Sequence, residues 1–449
     1  MIALTANPAF ESLSHEAQIR AAVLKCFCDS SLEPWSRFDR LSSNDWQRLL
    51  HWLDVSGLAL SFLDRILELQ LRHRLPPAIV ARLEQNLRDN TERTLDMIAE
   101  STAIQIEFQR ASFSYAVLKG FSFCPIAVPR PELRSQLDLD FLIAEKDAPE
   151  ARRILESRGY QLHAVSGRSW EFKTPYTHKG TLADLYKALP FHCVELHLET
   201  GSEARNSLLE RVERRDFNGI TTPVLPAADL FFGQGMHLFK HVCSEFSRTA
   251  HLLEFWRHVV ARRDDPAFWQ KVKTIAEASP RAALGLGVVT LLTTRTMSDF
   301  APDAFTCWTV DRMPAAVRLW VELYGYRSVL GDFPGSKIYL LLQRELEIAG
   351  IGPKRSAREV LLPLKLPPPI AIAPEDESLL ERFRRYRGQF KFVFFRLSFH
   401  SVEGLRYLRE RMRWRRKLSE LQRQSAHPHR GASSLPLELA GTARCETKE

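Results

Sequence analysis

The stretch that decides the fold is "SQLDLDFLI" (residues 135–143), which places two aspartates inside a run that otherwise has the composition of a β-strand. Successive side chains of a strand point to opposite faces, so Asp138 and Asp140 are expected on one face. The opposite face, which we expect to lie in a core, carries Leu137, Leu139 and Phe141. Two carboxylates about 4 Å apart repel each other by about 4 kcal/mol at an effective dielectric constant of about 20. A positive group must offset this repulsion, and a divalent metal ion is the first candidate; an exposed strand face or a turn is the alternative.

The segments around this stretch predict an α+β fold. The apolar run "SYAVLKG" (114–120) ends in glycine, which favours a buried strand. A helix is predicted for "DAPEARRILESRGY" (147–160), with Asp147 as its N-cap. Further strands are predicted in "YQLHAV" (160–165) and "FHCVELHLE" (191–199). Helical periodicity dominates before and after this region, so the expected fold is a small mixed sheet with helices, flanked by N- and C-terminal helical regions.

The length of 449 residues is enough for two or three domains. The predicted organisation is a helical N-terminal region (1–112), an α+β core (113–225), a helical domain (226–360), a proline-rich connector with a basic amphipathic segment (361–423) and a disordered tail (424–449).

Cysteine usage and hydropathy favour a cytoplasmic protein with reduced thiols. The seven cysteines are scattered apart from Cys26 and Cys28, whose C-x-C spacing lacks the second pair of a zinc site. The first twenty residues have no basic segment followed by an apolar one, so we expect no signal peptide. The longest apolar stretch, residues 283–292, is too short for a transmembrane segment.

The positive charge is concentrated near the C-terminus. Residues 379–423 contain fourteen Lys or Arg and four Glu, a net charge of +10, whereas the whole chain carries +8. We call five of these residues the basic cluster: Arg411, Arg413, Arg415, Arg416 and Lys417. Arginines interleaved with aromatic residues suit RNA or a membrane surface, and an acidic partner is therefore possible. The alternative is a helix whose apolar stripe packs while its arginines face water.

Three further pieces of the α+β region carry side chains that can join the aspartates. Lys119 and Gly120 stand at the end of the first predicted strand, and Arg134 precedes Asp138 by four residues. Glu195 lies in the middle of "VELHL", on the face opposite to its apolar neighbours. If the two strands are adjacent, the three carboxylates converge on one point.

This ordered set of motifs resembles the DNA polymerase β-like nucleotidyltransferase superfamily, and within it the branch of uncharacterised nucleotidyltransferases of the NTP_transf_5 type. Members of that branch show "LKG", an arginine before D-x-D, a helix ending in "GY", then "ELH" and a helical H-x-x-K-H. This chain has "LKG", "RSQLDLD", "ARRILESRGY", "VELHL" and "HLFKH" in that order, between residues 114 and 257. The resemblance implies a nucleotidyltransferase sheet in the α+β core.

The resemblance also implies a catalytic metal site. Asp138 and Asp140 would hold Mg²⁺ (or Mn²⁺) against a nucleoside triphosphate, because Mg²⁺ prefers oxygen ligands and keeps positions for phosphate. Glu195 would be the third carboxylate, which binds the metal or deprotonates the acceptor hydroxyl. Two such ions stabilise the attacking and leaving oxygens together.

Binding of the triphosphate is implied for residues near the first strand. Gly120 would let the backbone approach the phosphates, and Lys119 or Arg134 would neutralise their charge. Lys119 can instead be a charge at a strand end, and Arg134 can instead pair with an aspartate. Ser122 is a further candidate, although Phe121 stands where the superfamily commonly has a small residue after the turn glycine.

The motif "HLFKH" places His237 and His241 on one helix face. The spacing suits a zinc pair, but the sequence shows no clear third ligand, so we interpret this helix as lining the nucleotide cleft. Glu254 in the next helix is expected to be a salt-bridge partner. His192 and His197 flank Glu195 and can orient its carboxylate or lie in the cleft; the sequence does not separate these two roles.

The leading hypothesis is a metal-dependent nucleotidyltransferase that moves an NMP group from an NTP to an acceptor hydroxyl and releases pyrophosphate. The acceptor (a small molecule, a protein or RNA) is not encoded in any motif. The alternatives are a non-catalytic nucleotide-binding interaction protein and a toxin-like enzyme that nucleotidylates RNA or protein.

Overall fold

The computed structural model describes residues 13–29, 31, 33–175, 181–189, 193–200, 207–217, 219–245, 248–332, 334–351, 356–362 and 378–426. The chain divides into two compact units, Met1–Leu366 and Pro367–Glu449. This division falls inside the predicted proline-rich connector, and the finer boundaries within the first unit remain predictions.

In the described residues, the first unit begins with four α-helices: α1 (His15–Cys28), α2 (Ser43–Ser56), α3 (Ala59–Glu68) and α4 (Pro77–Arg110). Helix α2 begins with a capping box, in which the Ser42 side chain accepts from the Asp45 amide and the Asp45 carboxylate accepts from the Ser42 amide. It ends at Gly57, which adopts a left-handed conformation with φ of 78°. The predicted helical N-terminal region is therefore present in the described residues.

The core of the first unit is a seven-stranded mixed sheet, as the predicted fold class requires. Its strands are β1 (Tyr115–Leu118), β2 (Leu139–Ala144), β3 (Gln161–Ser166), β4 (Ser169–Lys173), β5 (Cys193–Glu199), β6 (Glu213–Phe217) and β7 (Ile220–Val224). The order across the sheet is β3-β4-β5-β2-β1-β7-β6. The pairs β2–β5 and β1–β7 are parallel and the other neighbours are antiparallel. Strands β4, β6 and β7 had no sequence prediction.

One face of the sheet is apolar and packs on α4 and on α5 (Ala148–Ser157). Residues of β2 and β5 such as Phe141 and Leu196 are fully buried in this core. Two details differ from prediction. Leu137 is 47% exposed rather than in the core, because β2 starts only at Leu139. Asp147 lies in a 3₁₀ turn with helical backbone angles and its side chain does not cap α5.

Helices follow the sheet, as predicted for the region after residue 226. They are α6 (Ala227–Val242), α7 (Ala250–Ala261), α8 (Pro266–Glu277), α9 (Pro280–Thr296), α10 (Asp303–Thr306), α11 (Ala315–Val329), α12 (Tyr339–Ile348) and α13 (Ala357–Leu361). Among the residues that the structure describes, every helix is too short or too polar to cross a bilayer.

The described part of the second unit is one helix, α14 (Leu379–Ala426), which contains the basic cluster. Arg413 pairs with Glu410 at 3.2 Å and Lys417 with Glu420 at 2.8 Å, each one turn apart on the helix. The predicted disordered tail begins inside this helix, and residues 427–449 lie outside the described residues.

Candidate active site

The sheet brings two of the predicted carboxylates side by side. Strands β2 and β5 are parallel neighbours, and their register sets Asp140 beside Glu195. Strand β1 runs antiparallel on the other side of β2, with Leu118 opposite Asp140. Lys119, the next residue, therefore reaches the same point from the end of β1. The sequence analysis required the two carboxylate-bearing strands to be neighbours, and in the structure β2 and β5 are neighbours.

Cations surround these carboxylates at short range. The Lys119 Nζ lies 2.7 Å from Asp140 Oδ1 and 3.8 Å from Glu195 Oε2. The His197 Nε2 lies 2.8 Å from the same Asp140 oxygen and 3.5 Å from Glu195 Oε2. The hydroxyl of Ser169, on β4, donates to Glu195 Oε1. Because the Asp140 side chain is only 2% exposed, its charge is compensated by Lys119 and His197 and not by water.

The same contacts set the protonation states. Burial disfavours the imidazolium of His197, but hydrogen bonds to Asp140 and Glu195 outweigh burial and raise its pKa to about 9. The hydrogen bond from His197 is the main cause that holds the pKa of Glu195 well below its usual range. Near neutral pH, Glu195 is therefore ionised and His197 is protonated.

Asp138 lies just before β2 and is half-buried. Burial, followed by the neighbouring charge of Asp140, raises the pKa of Asp138 to about 6. The ligand atoms of Asp140, Glu195 and His197 all lie within 4.8 Å of one another. The Asp138 carboxylate lies outside that group. His197 belongs to the group of possible metal ligands, whereas the sequence suggested no ligand role for it.

The turn after β1 has an unusual backbone. Lys119 has φ of 50° and ψ of −155°, a conformation that costs a non-glycine residue about 1–3 kcal/mol. Gly120 follows with φ of 42°, and a Cβ there would lie 2.3 Å from Gln136 Nε2. The positive φ, together with the Gln136 side chain that a Cβ would have to displace, therefore favours glycine at this position without any phosphate. Ser122 is buried and its hydroxyl donates to the Lys119 carbonyl at 2.7 Å, so a phosphate contact would first have to break that bond.

Arg134 pairs with a residue that the sequence did not connect to it. Its Nε donates to Glu254 Oε1 on α7 at 2.9 Å, 120 residues away in the chain. Burial opposes the charge of Arg134, but Glu254 and then the two aspartates favour it and raise its pKa. Glu254 is a salt-bridge partner, as its position in the helix suggested.

A cavity of about 370 Å³ adjoins these groups. Leu118 and Leu142 contribute to its wall from the carboxylate-bearing face of the sheet, and α6 contributes Leu230 and Phe232. Its polar lining consists mainly of Lys119, Arg134, Arg211, Asp229, Gln234, His237, His251 and Glu254. The arrangement combines a largely apolar chamber with a few convergent charged groups, which is typical of small-molecule sites.

A third imidazole joins the two predicted on α6. The Nε2 atoms of His237 and His241 lie 3.0 Å apart, and the ring of His251 on α7 packs edge-on to His237 and tilted against His241. The structure thus supplies a third imidazole that the sequence did not indicate. The only sequence signal was a histidine near the start of the following helix, whose packing against α6 cannot be deduced from spacing.

Comparison with known proteins agrees with the fold and motifs. The chain belongs to a family of uncharacterised nucleotidyltransferases, whose sequence profile matches residues 42–296. Among solved structures, an antigenic nucleotidyltransferase-like protein from Paracoccidioides brasiliensis is 12% identical to the chain. Their alignment covers 44% of this chain and 93% of that one with a TM-score of 0.27, which is too low to support an argument. Curated proteins gave no match.

Proposed function

We propose that the protein is a metal-dependent enzyme that transfers an NMP group from an NTP to an acceptor hydroxyl and releases pyrophosphate. Membership of a nucleotidyltransferase family supports nucleotidyl transfer in general. The proposal of metal-dependent transfer from an NTP is supported by one observation: Asp140 lies in register beside Glu195, and the ammonium group of Lys119 contacts both.

The donor atoms fit a hard divalent cation. Asp138, Asp140 and Glu195 offer carboxylate oxygens, which are the ligands that Mg²⁺ or Mn²⁺ prefers. Asp140 is buried and already compensated by a cation at 2.7 Å, so a positive group belongs at this point of the fold. When bound there, the metal would neutralise the triphosphate and polarise the reacting phosphate.

In the proposed reaction, the acceptor oxygen forms a bond to the α-phosphorus. The bond from this phosphorus to the oxygen that bridges to the β-phosphate breaks, and pyrophosphate leaves with the electron pair. The hydroxyl proton passes to solvent water, because the contacts that hold the pKa of Glu195 low keep its carboxylate ionised, as a metal ligand has to be. Ser169 holds one oxygen of that carboxylate, and its other oxygen faces His197 and Lys119, so the orientation of the group is fixed before the acceptor arrives.

The triphosphate would be held by Lys119 and Arg134, beside the backbone of Gly120. Nε of Arg134 is engaged by Glu254, and this fixes the guanidinium plane at the cavity wall while its remaining N–H groups can meet phosphate. A volume of about 370 Å³ with mainly apolar walls suits a nucleobase or an acceptor of small-molecule size.

The test is incubation of the purified protein with each of the four labelled NTPs and Mg²⁺ or Mn²⁺, in the presence of cell lysate. We expect label to move to one class of acceptor in the wild type and not in Glu195→Gln. A partly exposed control away from the site, Glu150→Gln on α5, should behave as the wild type. Nucleotide binding without transfer to any acceptor would instead favour the non-catalytic alternative, and label on RNA or protein would favour the toxin-like one.

A further inference from the structure

Three imidazoles from two consecutive helices converge beside the cavity, and we propose that they form a Zn²⁺ site. His237 and His241 lie one turn apart on α6, and His251 lies near the start of α7. The ring centroids are separated by 4.5 Å within the α6 pair and by 5.1 Å from each member of the pair to His251. The ligand nitrogens of the three residues all lie within 4.8 Å of one another.

The distances suit zinc after a small adjustment of side chains. Zinc binds imidazole nitrogen at about 2.0–2.1 Å, so two ligand nitrogens of a tetrahedral centre lie about 3.4 Å apart. The Nε2 atoms of His237 and His241 are already 3.0 Å apart, within hydrogen-bond distance. When both Nε2 atoms bind zinc, the hydrogen between them moves to Nδ1 of its own ring, so each bound imidazole stays neutral. Rotation of the His251 side chain closes the remaining separation.

A carboxylate behind one imidazole strengthens the assignment. Glu254 Oε2 lies 3.4 Å from Nδ1 of His251, which leaves Nε2 of that ring as the ligand atom. Zinc-binding histidines commonly donate their second ring N–H to such a carboxylate, which fixes the tautomer. The ion pair with Arg134 and the burial of both Glu254 and His251 hold this carboxylate in place.

This histidine site differs in chemistry from the carboxylate site of the proposed function. Three nitrogen donors favour a borderline metal such as zinc, whereas three carboxylates favour Mg²⁺ or Mn²⁺. Three protein ligands also leave a fourth tetrahedral position for water or a substrate group. Because His237 and His251 line the cavity, an acceptor bound there can reach that position.

The first experiment measures metal content and affinity. Full-length protein without a polyhistidine tag is stripped with chelator, and Zn²⁺ and Co²⁺ are titrated in. We expect one Zn²⁺ per chain and, with Co²⁺, the intense visible absorption of a tetrahedral centre. The double variant His237→Gln/His241→Gln should lose Zn²⁺ affinity by about 100-fold or more, and Glu254→Gln by about 10- to 100-fold.

Two controls separate this site from folding and from the carboxylate site. His163→Gln changes an exposed histidine on β3 and should keep one Zn²⁺ per chain. Asp140→Asn should also keep one Zn²⁺ per chain, even if it abolishes nucleotidyl transfer. The zinc measurement can therefore be interpreted even if the proposed function is wrong. His251→Gln, checked by circular dichroism, provides a second ligand variant if the double variant misfolds. Zinc retained at wild-type affinity in folded His251→Gln, or absent from the wild type, would overturn the proposal.

Discussion

Replacing the two aspartates of "DLD" singly by asparagine should change the stability of the metal-free protein in opposite directions. The sequence reveals only the repulsion between the two carboxylates, which predicts a slight gain in stability when both are replaced. The structure separates them, because Asp140 accepts from Lys119 at 2.7 Å and from His197 at 2.8 Å, whereas Asp138 lies outside this group. Asp140→Asn therefore leaves two cations without their main partner.

The loss for Asp140→Asn follows from these contacts. Removing one partner of a buried ion pair costs about 3–5 kcal/mol. The Lys119 and His197 side chains are 29% and 26% exposed, and Glu195 stays within 3.8 Å and 3.5 Å of them. Water and Glu195 therefore recover part of the loss, and we expect the free energy of unfolding to fall by about 2 kcal/mol.

The gain for Asp138→Asn follows from the pKa of Asp138, which burial and then Asp140 raise from 3.8 to about 6. A carboxyl group with a raised pKa in the fold is ionised more easily in the unfolded chain, so its charge destabilises the fold above about pH 6 and has no effect below about pH 4. One pKa unit corresponds to about 1.4 kcal/mol, and partial exposure reduces the total to about 1–2 kcal/mol. Asp138→Asn should gain this amount at pH 8 and nothing at pH 4.

Urea denaturation in EDTA, followed by circular dichroism at pH 8 and pH 4, measures both effects. Calorimetric titration with Mg²⁺ and a non-hydrolysable NTP then tests the site, and both variants should lose affinity. An Asp140→Asn variant at least as stable as the wild type at pH 8 would refute the reasoning on stability. Wild-type nucleotide affinity in both variants would refute the assignment of the metal site.

Three further predictions concern the turn, the buried ion pair and the basic helix. Gly120→Ala should lower the melting temperature even without nucleotide, because of its positive φ and the clash with Gln136, and adding Gln136→Ala should restore part of the loss. Glu254→Gln should lower the free energy of unfolding by about 3 kcal/mol at pH 7, measured by urea denaturation, because it leaves buried Arg134 unpaired. The difference should shrink as the pH falls below about 4. In that range the unfolded chain protonates Glu254, whereas in the fold Arg134 holds the pKa of this carboxyl group below its usual range against the effect of burial. If α14 binds RNA, changing all five residues of the basic cluster to Gln should reduce the slope of log RNA affinity against log salt concentration by about 2. At most three of the five share one helix face, and each phosphate contact contributes about 0.7. An unchanged slope in a salt titration would exclude these contacts.

The candidate site was predictable where it depends on local periodicity. Alternation along β2 and β5 is enough to put Asp140 and Glu195 on the face opposite to Leu139 and Val194, and the structure has them so. The motif order then makes the pairing of these strands plausible. Their register, which sets the two carboxylates level, depends on packing across more than fifty residues and is not contained in either strand.

Features that depend on long-range packing escaped the sequence analysis. The sequence suggests that a glycine at position 120 lets a phosphate approach the backbone. In the structure, the side chain of Gln136 lies in the space beside the Gly120 Cα. Glu254 was recognised as an ion-pair partner, but nothing in the spacing indicated Arg134 as the other half. The sequence does not indicate His251, because the contact between α6 and α7 depends on how the two helices pack and not on the residue pattern of either helix. In each case a residue from another element completes the arrangement.

Lys119 connects the two halves of the proposed chemistry. Its ammonium group has three N–H donors, so it can keep its bond to Asp140 at 2.7 Å while another N–H meets a phosphate. If Lys119 turns to the triphosphate alone, the nearly fully buried Asp140 loses a partner, and only His197 remains against it. In that case a cation between the carboxylates would remove the cost, and the proposed binding of metal and of triphosphate would favour each other by the same free energy. The strained backbone of Lys119 fits this role, because it holds the lysine at the end of β1, within reach of the carboxylates and in the wall of the cavity.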